Sequence, residues 1–317
     1  MALGGDRPDM GLFREHWWLD ATAGPGNWSE VNVLEGGRVI ACLPFALTRR
    51  LGFTMLGMPP LTQTLGPWFA QIPGKSDAAL GREKDLVRKL IAGLPRHDYF
   101  VQRFPAELAN WLPWYWAGFK QTTCYTYVLD LLRDEQSLWD DLAANVRNDI
   151  RRARDQRAVA IRTDLPLESF LRLNKLVYTR QGLRLPYQED VVRRLDTECL
   201  HRDRRRIFFA TDSEGCLHAA VYLVWDEARS YYLMSGGDPQ YRSSGALTLA
   251  LWEAIRFARG VSRIFDFEGS MMEPVERFIR GFGARQVGFH RIWRAPNKVV
   301  ALALHARAVW NEWRGGR

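Results

Sequence analysis

The sequence of 317 residues predicts a mixed α/β (α+β) fold in two successive halves, each a mostly antiparallel mixed sheet flanked by helices. Three observations carry this expectation. Between Trp28 and Phe69 the residues alternate as in half-buried strands, with Gly36 and Gly37 marking a hairpin turn. From about Asp134 to Arg157 the spacing of Leu138, Leu142, Val146, Ile150 and Ala153 makes one apolar helical face. Beyond it, strand-like and helix-like runs follow in the order strand, strand, strand, helix, strand, helix. The expected division is a first domain over 1–132, a connecting helix over 133–157 and a second domain over 158–317.

A short amphipathic segment around Phe13, Trp17, Trp18 and Leu19 precedes the first strands. A charged helix follows near Arg82 to Ala92, then a strand at Tyr99–Phe104, an aromatic helix around Trp111–Trp116 and a strand at Thr122–Leu131. Trp111, Trp114, Tyr115 and Trp116 suit a wedge of core between the halves, with stacking on a base or sugar as the alternative. The long helix also carries Arg147, Arg151 and Arg154 in a line, either a solvated face beside Asp140, Asp141 and Asp155 or a phosphate-contacting stripe. In the second half come a strand at Ala158–Thr163, helical segments from Pro166 to about Leu200, and a basic patch at Arg202–Arg206. Strands at Ile207–Thr211, Leu217–Asp226 and Ser230–Ser235 lead to Gly236 and Gly237. A helix with Leu247, Ala250, Leu251, Ala254, Ile255 and Ala258 at helical spacing enters a strand at Arg263–Phe267. A helix near Glu273–Arg280, a Gly281–Phe282–Gly283 break and a strand at Gln286–Arg294 follow. The last helix, Asn297–Trp313, sets Val299, Leu302, Ala306, Val309, Trp310 and Trp313 on one side.

Apolar residues are 47% and charged residues 25%, the balance of a globular chain and not of a disordered one. No apolar run is long enough to cross a bilayer, and Asp6, Pro8 and Asp9 stand where a signal peptide needs apolar residues, so a cytoplasmic protein is expected. Cys42, Cys124, Cys199 and Cys216 form no C-x-x-C pair, and neither a metal site nor a disulfide framework is expected. A net charge of +8 favours an anionic partner: RNA, a phosphorylated cofactor or an acidic lipid surface.

The segment S-G-G-D-P-Q-Y-R-S-S-G-A-L, residues 235–247, joins a strand end to a helix start through Arg242, Ser243, Ser244, Gly245 and Ala246. Unpaired N–H groups and the helix dipole make such a junction an anion site, and a glycine lets a pyrophosphate approach the backbone. Plain capping by Ser243 or Ser244 is the alternative. On the strand before Gly269, alternation sends Asp266 and Glu268 to one face, so either carboxylate can serve as a general base, Glu268 first and Asp266 second. The alternative for each is a cap or an ion pair with an arginine. His218 and His290 alternate with apolar residues and suit packing better than catalysis. The polar text Thr62, Gln63 and Thr64, between Pro59 and Pro67, is a candidate for reading a substrate.

The R-S-S-G-A junction, following the third of three strands, resembles the acyl-donor loop of the GNAT superfamily, although Ala246 stands where many of those loops have a second glycine. The stretch F-D-F-E-G-S-M-M-E-P-V-E-R-F-I-R-G-F-G-A at 265–284, with L-W-D-D-L-A-A-N-V-R-N-D-I-R-R-A-R at 138–154 and T-R-Q-G at 179–182, is similar to the FemAB-like and BioF2-like acetyltransferase group of that superfamily. W-W-L-D-A at 17–21 and P-P-L-T-Q-T-L-G-P at 59–67 resemble it more loosely. The resemblance implies two tandem GNAT-like domains, the first a degenerate copy on the acceptor side and the second carrying the donor site. It implies an N-acyltransferase that moves an acyl or aminoacyl group from acetyl-CoA, another acyl-CoA or aminoacyl-tRNA to an amine: an amino sugar, a cell-wall or polysaccharide precursor, or a peptide. Splayed strands would hold the acyl group, Ser235 and Gly236 would supply N–H groups to the tetrahedral intermediate, Arg242 to Ala246 would hold the donor, and Thr62, Gln63 and Gln181 would face the acceptor. Phe278 stands on the helix where CoA-dependent members commonly have a tyrosine, which favours a donor such as aminoacyl-tRNA. The alternative is a catalytically silent GNAT-fold protein that binds nucleic acid or another partner through its basic face.

Overall fold

The computed structural model describes residues 10–70, 76–180, 182–269 and 271–315. A short turn of 3₁₀ helix and α1 (His16–Ala23) lead to β1 (Trp28–Glu35), β2 (Arg38–Arg50), β3 (Phe53–Gly57) and β4 (Trp68–Phe69). Then come α2 (Ser76–Ala92), β5 (Tyr99–Arg103), α3 (Leu112–Trp116) and β6 (Lys120–Asp130). The single helix expected over Asp134–Arg157 is broken into α4 (Glu135–Asp140), α5 (Ala144–Arg151) and a π-helical turn, Arg152–Gln156. Asp134 caps α4 by accepting the Ser137 N–H at 2.9 Å. The break has a tertiary cause: residues 141–143 leave the helix to meet the Gly281–Gly283 turn, where the Ala143 N–H donates to the Gly281 carbonyl at 2.8 Å. A Cβ on Gly283 would stand 2.7 Å from the Asp141 carbonyl oxygen.

The remaining elements are β7 (Ala160–Arg162), α6 (Leu167–Arg180), α7 (Glu189–His201), β8 (Arg205–Thr211), β9 (Leu217–Trp225), β10 (Arg229–Gly237), α8 (Ala246–Ala258), β11 (Ile264–Asp266), α9 (Glu273–Arg280), β12 (Arg285–Arg294) and α10 (Lys298–Gly315). A one-turn 3₁₀ helix, Pro239–Tyr241, links β10 to the start of α8.

The chain divides into two compact units, Met1–Cys124 with Phe289–Arg317, and Tyr125–Gly288. This differs from the expected division in the placement of both the connecting helix and the last segment. In the first unit β1, β2 and β3 pair antiparallel, β5 returns parallel to β3, and β12 closes antiparallel on β5. Its core gathers Leu43, Leu56, Leu90, Phe100, Phe104, Trp114 and Phe119. The aromatic segment is divided by its helical phase: Trp114, 1% exposed, stacks on Phe100, while Tyr115 and Trp116 point outward. Trp114 is buried in the core of the first unit, and Trp111 packs against that core half-buried.

The second unit repeats these pairings. β8, β9 and β10 are antiparallel neighbours, β11 returns parallel to β10 through α8, and β6 pairs antiparallel with β11. β7 adds to β8. One face packs Phe208, Val221, Leu223 and Phe265 against apolar residues of α5 and α8. The other carries Tyr222, whose ring meets Phe170 of α6 and whose hydroxyl donates to Asp196 of α7 at 2.8 Å.

Gly245 and Gly236 are two of the positions that require glycine. Gly245 has φ +78°, and a Cβ there would lie 2.2 Å from the Asp149 carbonyl oxygen of α5. At Gly236 a Cβ would lie 2.6 Å from the Asn174 backbone of α6. In both places a helix rests directly on backbone. Gly245→Ala is expected to destabilise the chain by roughly 2–4 kcal/mol, read as a lowered thermal midpoint, from left-handed strain plus the clash. In the first unit, buried Gln102 donates to the Pro44 carbonyl at 2.7 Å and accepts the Gly66 N–H at 3.1 Å. Gln102→Ala leaves both groups buried without that amide and should cost about 2–4 kcal/mol in denaturant unfolding.

Candidate active site

β10 and β11 lie in parallel register over three pairs only, from Arg229↔Ile264 to Tyr231↔Asp266. β11 ends there, whereas β10 continues to Gly237 against β9. A wedge opens between them. At its narrow end β10 carries a bulge: Tyr232 faces Leu223 and Met234 faces Tyr222, so Leu233 is the extra residue. A bulge turns backbone groups out of the regular ladder and is a common device beside reacting centres.

α6 lies across this part of β10. Buried Asn174 donates to the Ser235 carbonyl at 2.7 Å and accepts the Tyr187 hydroxyl at 3.0 Å. The Tyr178 and Tyr187 rings meet edge to face with centroids 6.5 Å apart. Burial pushes the Tyr187 phenol well above its ordinary range, helped by Tyr178 and the nearby charge of Glu268, so it remains a neutral donor. The Ser235 side chain hydrogen-bonds Tyr232, whose phenol burial pushes up to about 12. Ser235 and Gly236, expected at the intermediate, thus border the wedge, with a packing reason for the glycine.

The two carboxylates have different surroundings. Asp266, 2% exposed, accepts from the Thr126 hydroxyl at 2.5 Å, from Arg229 Nη1 at 2.8 Å and from the Glu268 N–H at 2.9 Å. Its oxygens are committed to β6, β10 and its own turn. Glu268 leaves the strand with φ +58°, a rare conformation for a non-glycine residue. Gly269 follows at φ +54°, and a Cβ on it would stand 2.1 Å from the Tyr125 carbonyl oxygen. The alternation expected at 266 and 268 therefore stops at Asp266, where β11 ends. Glu268 is half-buried with Oε1 shielded from water, close enough for its charge to act on Tyr187.

In the donor segment, Arg242 and Ser243 are exposed, whereas Ser244, Gly245 and Ala246 are buried. The Ser244 hydroxyl accepts the Ala246 N–H at 3.2 Å, a local cap, and the Asp149 carbonyl of α5 lies against Gly245. The side of Gly245 where a Cβ would stand is filled by α5. The two expected basic stretches are also engaged. Arg147 donates to the carbonyls of Asp140 and Leu142, Arg151 sits over the Trp139 ring and Arg154 pairs with Glu253. Arg202 pairs with Glu198, Arg204 with Glu227 and Arg205 with Asp196, and Arg206 covers the Phe257 ring. By contrast, Arg172, Arg180, Arg184 and Arg242 are exposed and make no ion pair among the described residues. The first three lie on α6 or just beyond it, beside Tyr178 and Tyr187.

Of the acceptor candidates, Thr62 and Gln63 lie in the first unit and are buried. Thr62 accepts Trp18 Nε1 at 3.0 Å and donates to the Pro60 carbonyl at 3.2 Å. Gln181 lies outside the described residues. His218 stacks on Tyr241 at 3.8 Å and bonds Asp212, and His290 bonds Gln121 at 2.7 Å, so both are packed. The bulge at Leu233, Asn174 and the pair Tyr178 and Tyr187 escaped sequence reasoning. Two tyrosines flanking the Gly182–Pro186 loop were the available signal.

Residues 140–273 match the family model described as Acetyltransferase (GNAT) domain. No curated protein sequence matches the chain. Among solved structures, FemX is similar over 94% of this chain and 95% of its own, with TM-score 0.69 and 12% identity. A tandem GNAT protein from the clavulanic acid biosynthesis pathway is similar over 85% of this chain and 83% of its own, with TM-score 0.51 and 16% identity. L-PGS from Bacillus licheniformis is similar over 89% of each chain, with TM-score 0.54 and 12% identity. At these identities the likeness is one of fold. Residues 140–273 thus carry a GNAT-type segment, whose parallel strand pair opens into a wedge, and the chain as a whole is similar in fold to FemX and to a tandem GNAT protein.

Proposed function

We propose that the chain is an N-acyltransferase that moves an acyl or aminoacyl group onto an amine in the wedge between β10 and the Glu268 turn. The observation that carries the reading is the bulged, half-open strand edge with one carboxylate turned beside it. The donor carbonyl lies along β10 near Leu233 and Met234. The amine nitrogen attacks it, Glu268 takes the amine's proton, and backbone N–H groups at the bulge hold the developing oxyanion. The carbon–oxygen or carbon–sulfur bond to the donor then breaks, and the proton passes to the departing oxygen or sulfur. Asp266 acts as a positioning residue: it fixes the turn that presents Glu268.

For the donor, the exposed Arg180, Arg184 and Arg242, which make no ion pair among the described residues, suit a polyanion such as the 3′ end of an aminoacyl-tRNA. An acyl-CoA donor is the second reading. It draws support from the acetyltransferase family model that residues 140–273 match and from the fold likeness to the tandem GNAT protein of the clavulanic acid pathway, whose structure is one without AcCoA. The tandem arrangement, with the first unit on the acceptor side, draws support from the repeated strand pairings and from the fold likeness to a tandem GNAT protein.

Glu268→Gln should lower turnover about 100-fold with donor affinity retained. Unchanged turnover removes Glu268 from the mechanism. Asp266→Asn should instead cost about 3 kcal/mol of stability, because it leaves Arg229 buried without its counter-charge. Reversing charge at Arg180 and Arg184 together should weaken donor binding roughly tenfold or more while sparing the thermal midpoint. Thermal stabilisation by charged tRNA and none by acetyl-CoA is the expected pattern, and the reverse pattern identifies an acyl-CoA donor.

A further inference from the structure

We infer that a groove between α4 and α8 is a second binding site, for a neutral saccharide. The groove lies within the second unit, has a volume of about 460 Å³ and is lined by Glu135, Gln136, Trp139, Arg154, Trp252 and Arg256. That volume falls in the range of about 300–1,000 Å³ usual for small-molecule sites. It is separate from the wedge. At the foot of α8, Arg259 donates to the Arg133 carbonyl at 3.1 Å, and the Leu131 N–H donates to the Arg263 carbonyl at 2.9 Å, which places α4 at the start of β11. The wedge opens at the other end of that strand. Helical phase builds the walls: Glu135 and Trp139 on α4, and Trp252 and Arg256 on α8, are each four residues apart and so share a face. The two indole rings meet edge to face with centroids 5.3 Å apart. Trp252, 3% exposed, forms the floor, and half-buried Trp139 lines the groove above it. Arg154 reaches the groove from the π-helical turn Arg152–Gln156. A π turn inside an α-helix is rare and is found frequently at functional sites.

The wall chemistry selects the ligand. Each charge there already has a counter-charge: Arg256 pairs with Glu135 at 2.8 Å and with Glu253 at 2.9 Å, and Arg154 pairs with Glu253 at 3.4 Å. A charged ligand must displace one of these partners, whereas a neutral one leaves them in place. Hydrogen-bonding capacity nevertheless remains. A guanidinium has five N–H donors, more than these pairs use, a carboxylate accepts at several lone pairs, and Gln136, whose Nε2 donates to Asp140 at 2.8 Å, keeps a carbonyl oxygen. Planar donors and acceptors above an indole suit a ring with hydroxyls at its edge and C–H groups on its face, which is a sugar. Arg151, over the Trp139 ring at 5.8 Å, braces the indole in this position.

Saturation-transfer NMR and calorimetry on the whole chain test this with glucose, galactose, N-acetylglucosamine and cellobiose, and with phosphate and AMP as charged probes. At least one of the sugars is expected to bind, with an affinity that does not change between low and high salt, as befits a neutral ligand. Trp139→Ala should abolish this binding. Gln136→Ala with Arg154→Ala, both at exposed positions, should weaken it about tenfold or more with the thermal midpoint unchanged, which keeps the test valid if the tryptophan variant fails to fold. Binding of none of the four sugars overturns the inference, as does sugar binding indifferent to the exposed pair of substitutions. Phosphate or AMP binding that falls with salt and is lost in that double variant, without sugar binding, assigns the groove to an anion instead and overturns it as well.

Discussion

The wedge depends on the carboxylate of Asp266. Buried among β6, β10 and β11, it joins the Thr126 hydroxyl, the Arg229 guanidinium and the Glu268 N–H. A buried ion pair is costly to assemble, and it persists where further hydrogen bonds satisfy the remaining oxygens, as they do here. Arg229 stands on the first and Asp266 on the last of the three rungs of the parallel β10–β11 ladder. The pair therefore spans the whole of this short ladder. The same carboxylate holds the backbone that bends Glu268 out of the strand, and close contact at Gly269 with Tyr125 leaves the turn little room to relax.

Elements with strong periodicity were legible in the sequence. The three antiparallel strands β8, β9 and β10 and the helix α8 read directly from alternation and from apolar spacing, because each buries its faces in a repeating pattern. The break after Asp140 was not legible. Its cause is a turn near residue 281, distant in sequence, which no local pattern reports. The site divides in the same way. Glu268 and the start of α8 lie in recognisable text, whereas Asn174 and Tyr187 acquire meaning only when α6 is laid over β10. At Gly245 the fold adds a packing reason for glycine that no local text reports, since the backbone of Asp149 lies where a Cβ would stand.

The arginines follow one rule. Those that formed visible runs in the sequence, at 147–154 and 202–206, are mostly neutralised by carboxylates or spread over aromatic rings, which suits stretches packed on helices rich in Asp and Glu. Arg172, Arg180 and Arg184, which form no run in the sequence, are exposed on α6 or just beyond it and make no ion pair among the described residues. Clustering along the chain is thus a poor guide to the field a ligand meets, because that field is set by what remains after internal pairing.

The chain leaves the first unit within β6 and returns to it within β12. During synthesis the first unit has β1, β2, β3 and β5 available early, but the strand that closes β5 comes from residues 289–294, almost two hundred residues later. One edge of its sheet therefore stays unclosed while the second unit is being made. Such a chain matures from its middle outward: the later unit can finish folding first, and the earlier one becomes complete only when the last strand arrives.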